Sequence, residues 1–237
     1  MNRILIAYVS HSGSTEEIAE YICRELSSQG QRVDIRPACE IVDLSPYDVI
    51  IAAGLVYRFG WHPEIVKFLK INLAELRKKK VFLFAVGLRL VRTPDCDRQS
   101  FPVFIDPAIM KQPTEAKQKG LMDSITTMRF YLHTAWPSIE EIKPASLAFF
   151  AGKLDLHTLG VSEKIIMLLL MLLTGKKSGD YRNWDAITEW VNRFVMDDST
   201  RREDHRLTTE SLADNPFDGL DQNDGKGLIK TEAAKPC

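Results

Sequence analysis

The stretch Ile4-Leu5-Ile6-Ala7-Tyr8-Val9-Ser10-His11-Ser12-Gly13-Ser14-Thr15 decides the fold. Its first half is a short continuous apolar run, the pattern of a strand covered on both faces. Its second half is a small, hydroxyl-rich turn, after which Ile18, Ala19, Ile22 and Leu26 recur at helical spacing until Gly30. A helix start offers unpaired amide hydrogens and a partial positive charge. Ser10, Ser12, Ser14 and Thr15 add hydroxyl donors there, and Gly13 lets the backbone turn or come close. Such a turn either caps its helix or holds a phosphate. It contains no lysine, which excludes the GxxxxGK(S/T) loop, and it lacks the GxGxxG spacing of a dinucleotide fingerprint.

Working outward, Val33 and Ile35 alternate with polar neighbours, as suits an edge strand with one buried face. Asp48 to Gly54, Val81 to Gly87 and Ser146 to Gly152 read as a third, fourth and fifth strand, each ending at glycine. His62-Pro63-Glu64 opens a helix with Ile65, Val66, Phe68 and Leu69 on one face, Pro63 suiting the first helical position. A last helix spans Trp184 to Phe194 and buries Trp184, Ile187, Val191 and Phe194. Short apolar runs alternating with amphipathic helices predict an α/β fold, a doubly wound five-stranded parallel sheet with helices on both faces. The strands ending at Gly54 and Gly87 bring two further loops to the carboxyl edge that carries the first turn. Open α/β sheets bind ligands at that edge, which favours the phosphate reading.

Two stretches exceed a minimal domain. Residues 88–143 separate the fourth and fifth strands, reading as a loop through Pro113 and as a helix from Thr114 to His133. So long an excursion is usually a functional loop or lid, with disorder as the alternative. Residues 197–237 are polar and poor in aromatics, the composition of a flexible tail. The expected organisation is therefore a domain over 1–196 with an insert at 88–143, followed by a tail at 197–237.

At 237 residues with 45% hydrophobic composition, the chain has ample material for one core. A net charge of −1 gives no electrostatic case for nucleic acid as a partner. Cys23, Cys39, Cys96 and Cys237 are scattered without a CxxC pair, which points to free thiols in a reducing, cytoplasmic setting. His133, His157 and His205 have no ligand-spaced partners, so no metal site is expected. The start of the chain opens directly into a strand rather than a signal peptide. The helix expected from Ser162 to Leu173 is apolar nearly all round but too short for the ~20 residues of a membrane span. It reads as core, as an oligomer interface, or as a membrane-surface contact flanked by Lys164, Lys176 and Lys177. Asp221 to Glu232 has the acidic spacing of a calcium loop, but Lys226 stands where that loop needs glycine.

The turn resembles the phosphate loop of flavodoxin-like proteins, Ser/Thr-x-Thr/Ser-Gly-x-Thr, matched by Ser10, Ser12, Gly13 and Thr15. The resemblance continues through Gly54-Leu55-Val56-Tyr57-Arg58-Phe59-Gly60 and Val86-Gly87-Leu88-Arg89. It implies strand order 2-1-3-4-5 and non-covalent flavin mononucleotide (FMN) as cofactor. Ser10, His11, Ser12, Gly13, Ser14 and Thr15 would meet the phosphate, His11 through its backbone. Leu55, Val56, Tyr57, Arg58, Val86, Gly87, Leu88 and Arg89 would flank the ring, with Tyr57 stacked on it. Arg58 and Arg89 would either stabilise a reduced, anionic ring or sit in surface ion pairs. Phe59 and Trp61 would line a substrate surface or anchor the core.

Within that superfamily the chain looks most like the flavodoxin-domain type of menaquinone-dependent protoporphyrinogen oxidase. The residues that carry this are Gly54 to Gly60 with His62, the long segment after the fourth strand, and Gly152 through Ile165–Leu172 to Asn183-Trp184. This likeness implies an oxidoreductase performing electron or hydride transfer at the flavin, with a quinone or porphyrinogen as partner. It places the protein in the cytoplasm, with peripheral contact at the inner face of the membrane as the sharper option. The alternatives are an electron carrier without a substrate pocket and a flavin-free scaffold. An insert folded over the ring would favour an enzyme, and an open ring edge a carrier.

Overall fold

A computed structural model of the chain describes residues 2–58, 60–111, 121–154 and 178–196. Phe59, His157, His205, the apolar helix expected at 162–173 and the tail at 197–237 lie outside the described residues. Strand β1 (Arg3–Val9) leads through the hydroxyl-rich turn into helix α1 (Ser14–Ser28), and β2 (Arg32–Pro37) returns beside β1. Strand β3 (Val49–Tyr57) turns back on the two-residue β4 (Gly60–Trp61), followed by α2 (Pro63–Ile71), the short α3 (Leu73–Leu76) and β5 (Lys80–Gly87). The main sheet has the order β2-β1-β3-β5-β9-β7, with β9 formed by Ser146–Ala151 and β7 by Val103–Ile105. Every neighbouring pair along that path is parallel. Its first five members reproduce the expected order, and β2 is the edge strand its alternation predicted.

Three expectations need correction. The sheet carries a sixth parallel strand, β7, taken from the insert: Val103, Phe104 and Ile105 pair with Leu147, Ala148 and Phe149. A three-residue strand, set in a four-residue stretch between Pro102 and Pro107, is too short to show a period, so only the open edge of β9 reveals its role. Next, β3 does not stop at Gly54. Leu55 pairs with Val86 of β5, while Val56 and Tyr57 pair antiparallel with Trp61 and Gly60. Finally, the helix expected from Thr114 to His133 is, within the described residues, two short helices, α4 (Leu121–Ile125) and α5 (Met128–Leu132). Thr127 breaks them apart, because its hydroxyl accepts from the Phe130 amide as the cap of α5. A third short helix, α6 (Trp136–Ile142), fills the end of the insert. The insert also adds β6 (Leu90–Val91) and β8 (Met110–Lys111), which pair with each other.

Period-two alternation splits the core into two layers. On one face Ile4 and Ile6, Ile51 and Ala53, Phe82 and Phe84, and Ala148 and Phe150 pack beneath the apolar stripe of α1 and beneath α7 (Trp184–Trp190). On the other, Leu5 and Ala7, Ile50 and Ala52, Leu83 and Ala85, and Leu147 and Phe149 meet α2, α3 and the insert helices α5 and α6. Trp190 rather than Trp184 is the buried indole of the last helix: it meets Phe82, Phe84 and Phe150 edge-on, and its Nε1 donates to Ser146 Oγ at 3.1 Å. Trp184 is half-buried against Tyr21. Beyond α7 the backbone widens into a π-helical turn, Val191–Met196.

One buried carboxylate joins the late elements. Asp106, fully buried just after β7, accepts from the Ala151 amide through Oδ2 (3.0 Å) and from the Ala108 amide and Asn183 Nδ2 through Oδ1 (2.9 and 3.1 Å). Three donors on separate segments satisfy a group that would be costly to bury alone.

Candidate functional site

The parallel register brings the ends of β1, β3, β5 and β9 to one edge, with Val9 opposite Gly54, Gly54 opposite Ala85 and Ala85 opposite Phe149. Because β1 is flanked by β2 on one side and β3 on the other, the strand order reverses beside it and opens a crevice above the sheet. The residues 10–15 sit at that crevice. Gly13, at φ +82°, is the N-cap of α1 and makes no side-chain cap hydrogen bond. The Ser10 Oγ is buried and has no hydrogen-bond partner among the described residues. An orphaned hydroxyl beside an uncapped helix start is the arrangement an anion would complete. Ser12 is half-buried, Thr15 is buried, and Ser14 points inward, its Oγ accepting from the Lys153 amide at 2.9 Å. Ser14 therefore ties the turn to the chain after β9, a role its sequence context did not signal.

The second loop is the β3–β4 hairpin. Gly54 is required beneath it, since a Cβ there would lie 2.6 Å from Ile65 Cγ2 and 2.8 Å from Trp61 Nε1. Trp61 is a core anchor rather than a lining residue: it is buried, and its Nε1 donates to Gly54 O at 3.0 Å. Tyr57 is half-buried near two imidazoles, with ring centroids 5.8 Å from His11 and 5.5 Å from His62. Arg58 adopts a left-handed φ of +46° and brings its guanidinium 5.2 Å from the Tyr57 ring centroid. A non-glycine residue in that region is strained, and such strain concentrates where a loop must present particular groups. Burial, reinforced by His11 and opposed by Glu64, holds His62 below the usual imidazole value. The His62 Nδ1 accepts from the Glu64 amide at 3.3 Å and so caps α2.

The third loop, Gly87 to Arg89, is held by the insert. Tyr131 Oη donates to Arg89 O at 2.9 Å, and the Leu90 amide to Ile109 O at 2.9 Å. The Arg89 guanidinium pairs with the buried carboxylate of Asp123, which Lys111 also approaches at 3.3 Å. Of the two arginines flagged in the sequence, Arg89 is thus engaged in an ion pair and Arg58 lies over an aromatic ring. Leu55, Val56, Gly87 and Leu88 line the same edge, all half-buried, whereas Val86 is buried. The insert also reaches the second loop, for a Cβ on Gly60 would stand 3.8 Å from His133 Cε1.

The family model described as the flavodoxin domain matches residues 5–180. The chain belongs to the flavodoxin-domain family. No curated protein matches the sequence. Solved structures similar to this flavodoxin-domain protein include oxidised flavodoxin 2 of Bacillus cereus, 33% identical over 36% of this chain, with a TM-score of 0.31. This chain spans 61% of that flavodoxin's length. Two-electron reduced Megasphaera elsdenii flavodoxin is 17% identical, covering 62% of this chain and 84% of its own, with a TM-score of 0.39. Fusobacterium nucleatum flavodoxin, bound to flavin mononucleotide, is 20% identical, covering 37% of this chain and 53% of its own, with a TM-score of 0.30.

Two first-turn carboxylates were not picked out by sequence. Glu16 accepts from Tyr8 Oη at 2.6 Å, and burial together with that bond pushes the Tyr8 phenol up to about 12, so it remains a donor. Glu17 pairs with Arg182 from the loop before α7. The signal was available only in part, since acidic residues favour a helix start anyway. Among the described residues, no helix is long and apolar enough to cross a membrane.

Proposed function

We propose that this flavodoxin-domain protein binds FMN at the three carboxyl-edge loops and works as an electron-transfer oxidoreductase. The observation that carries the reading is the buried, unpartnered Ser10 hydroxyl beside the uncapped start of α1. Ser10, Ser12 and Thr15 with the first amides of α1 hold the phosphate without a lysine, as a helix N-terminus permits. Tyr57 packs against the ring, and His11 and His62 both lie beside the Tyr57 side chain and steady it. Bound there, FMN supplies one- and two-electron transfer, while the protein sets its orientation, hydrogen bonding and nearby charge.

An oxidoreductase with its own substrate is favoured over a bare carrier because the insert braces the second and third loops. The substrate class is a quinone or porphyrinogen, on the resemblance of Gly54 to Gly60, His62 and Asn183-Trp184 to the protoporphyrinogen oxidase type. The working place is the cytoplasm. The test is to purify the protein, record its visible spectrum and identify any flavin released on denaturation. A yellow protein releasing FMN is expected. A colourless protein that also refuses added FMN would defeat the proposal. Anaerobic turnover with nicotinamide donors, quinones and protoporphyrinogen then separates enzyme from carrier: turnover of a small molecule is expected, and reduction of protein acceptors alone would identify a carrier.

A further inference from the structure

We propose that Arg182 is a positioning residue for phosphate recognition, acting by drawing Glu17 aside and offsetting part of its charge at the start of α1. The inference rests on the FMN reading above and adds a residue that lies outside the three loops. The start of α1 carries two carboxylates, Glu16 and Glu17, in the turn that would receive a dianion. Acidic residues there suit the helix dipole but repel a phosphate at the same end. Glu17 is the closer concern, for a Cβ built on Gly13 would stand 3.6 Å from its Oε1.

The chain answers each carboxylate with a different device. Glu16 is drawn to the Tyr8 hydroxyl at 2.6 Å. Glu17 is drawn to Arg182, which reaches it from the far end of the sequence. Arg182 is built to stay in place. Its side chain is only 8% exposed, its Nε and Nη2 grip Asp180 at 2.8 and 2.5 Å, and its guanidinium lies 4.7 Å from the Trp184 ring centroid. Its Nη1 then bonds Glu17. Asp180 orients the fork and Trp184 supports its face, so the cation presents one remaining edge to the phosphate turn. The same segment is secured to the site by the Tyr181 amide, which donates to Gly152 O at 3.3 Å, next to the Lys153 amide that bonds Ser14.

A charge effect on the phosphate differs from a general loosening of the fold, because riboflavin shares the ring and lacks the phosphate. The experiment measures FMN and riboflavin affinities, by flavin fluorescence quenching, for the wild type, Arg182→Gln, Glu17→Gln and the double variant. The Arg182→Gln change is expected to weaken FMN on the order of tenfold and leave riboflavin unchanged. Adding Glu17→Gln to it should restore most of the loss. Should Arg182→Gln fail to fold, Arg182→Lys decides, since it loses the two-point grip on Asp180 and with it the hold on Glu17, and is expected to weaken FMN severalfold without moving riboflavin. Equal losses for the two flavins, no recovery in the double variant, or an unaltered FMN affinity in Arg182→Lys would overturn the role of Arg182. A wild type that binds riboflavin as tightly as FMN would instead overturn the phosphate-loop reading itself.

Discussion

The Ser10 hydroxyl, just after β1, has no partner among the described residues, although a buried polar group left so costs about 1–3 kcal/mol. A cost of that kind is kept where a ligand relieves it. Replacing Ser10 with alanine should therefore separate stability from binding. Unfolding of the apoprotein in urea is expected to be unchanged or to need up to about 1 kcal/mol more, while FMN affinity falls by about 1.5–3 kcal/mol, the value of a hydrogen bond to a charged group. A destabilised apoprotein with unaltered FMN affinity would assign the hydroxyl to the fold instead. The turn itself is legible from residues 4–15 because an apolar run, a hydroxyl cluster and a 3.6-residue stripe follow one another without a gap. The inward direction of Ser14 is not legible, since it depends on the Lys153 amide from a strand end far along the chain.

Helix α2 is begun by a titratable cap. Its His62 accepts from the Glu64 amide through Nδ1, and burial keeps the imidazole value depressed. A group depressed in the folded state contributes stability above its unfolded value of about 6.5 and loses it as pH falls toward the folded one. Protonation at Nδ1 also turns the cap acceptor into a donor. Stability should thus decline as pH falls below about 6.5, and His62→Asn, which keeps an accepting cap and does not titrate, should flatten that part of the profile. A profile with the same slope in the variant would exclude His62 as the source; thermal midpoints across that range decide the matter. The start of α2 is readable from His62-Pro63-Glu64, as proline fixes the first helical turn. The extension of β3 to Tyr57 is not, because Gly54 reads as a stop. What demands glycine there is the close approach of Ile65 and Trp61, which only the packed hairpin creates.

In the molecule as a whole, strands of alternating residues serve two apolar layers, and Trp190 closes one of them. Its indole meets three phenylalanines and also donates to Ser146, so Trp190→Ala leaves a cavity and an unpartnered hydroxyl together. A loss of about 3–5 kcal/mol is expected, read from the urea midpoint at constant slope, a large part of a typical domain's 5–15 kcal/mol. A loss below about 1 kcal/mol would mean that the layer closes without it. Doubly wound architecture is legible at this scale since strand and helix periods alternate along the chain. The insert is less so: its main-sheet strand is three residues long and its α-helices are five- to seven-residue pieces whose partners, not their periodicity, define them. Asp106 bears on the order in which the molecule can be made. Only the Ala108 amide is local; the other two donors come from Ala151 and Asn183, so a nascent chain emerging from the ribosome holds an incompletely matched carboxylate until both have been synthesised. Secure docking of β7 on β9 is therefore a late event in vectorial synthesis, and a chain halted before Asn183 would leave β7 loosely held and open to proteases.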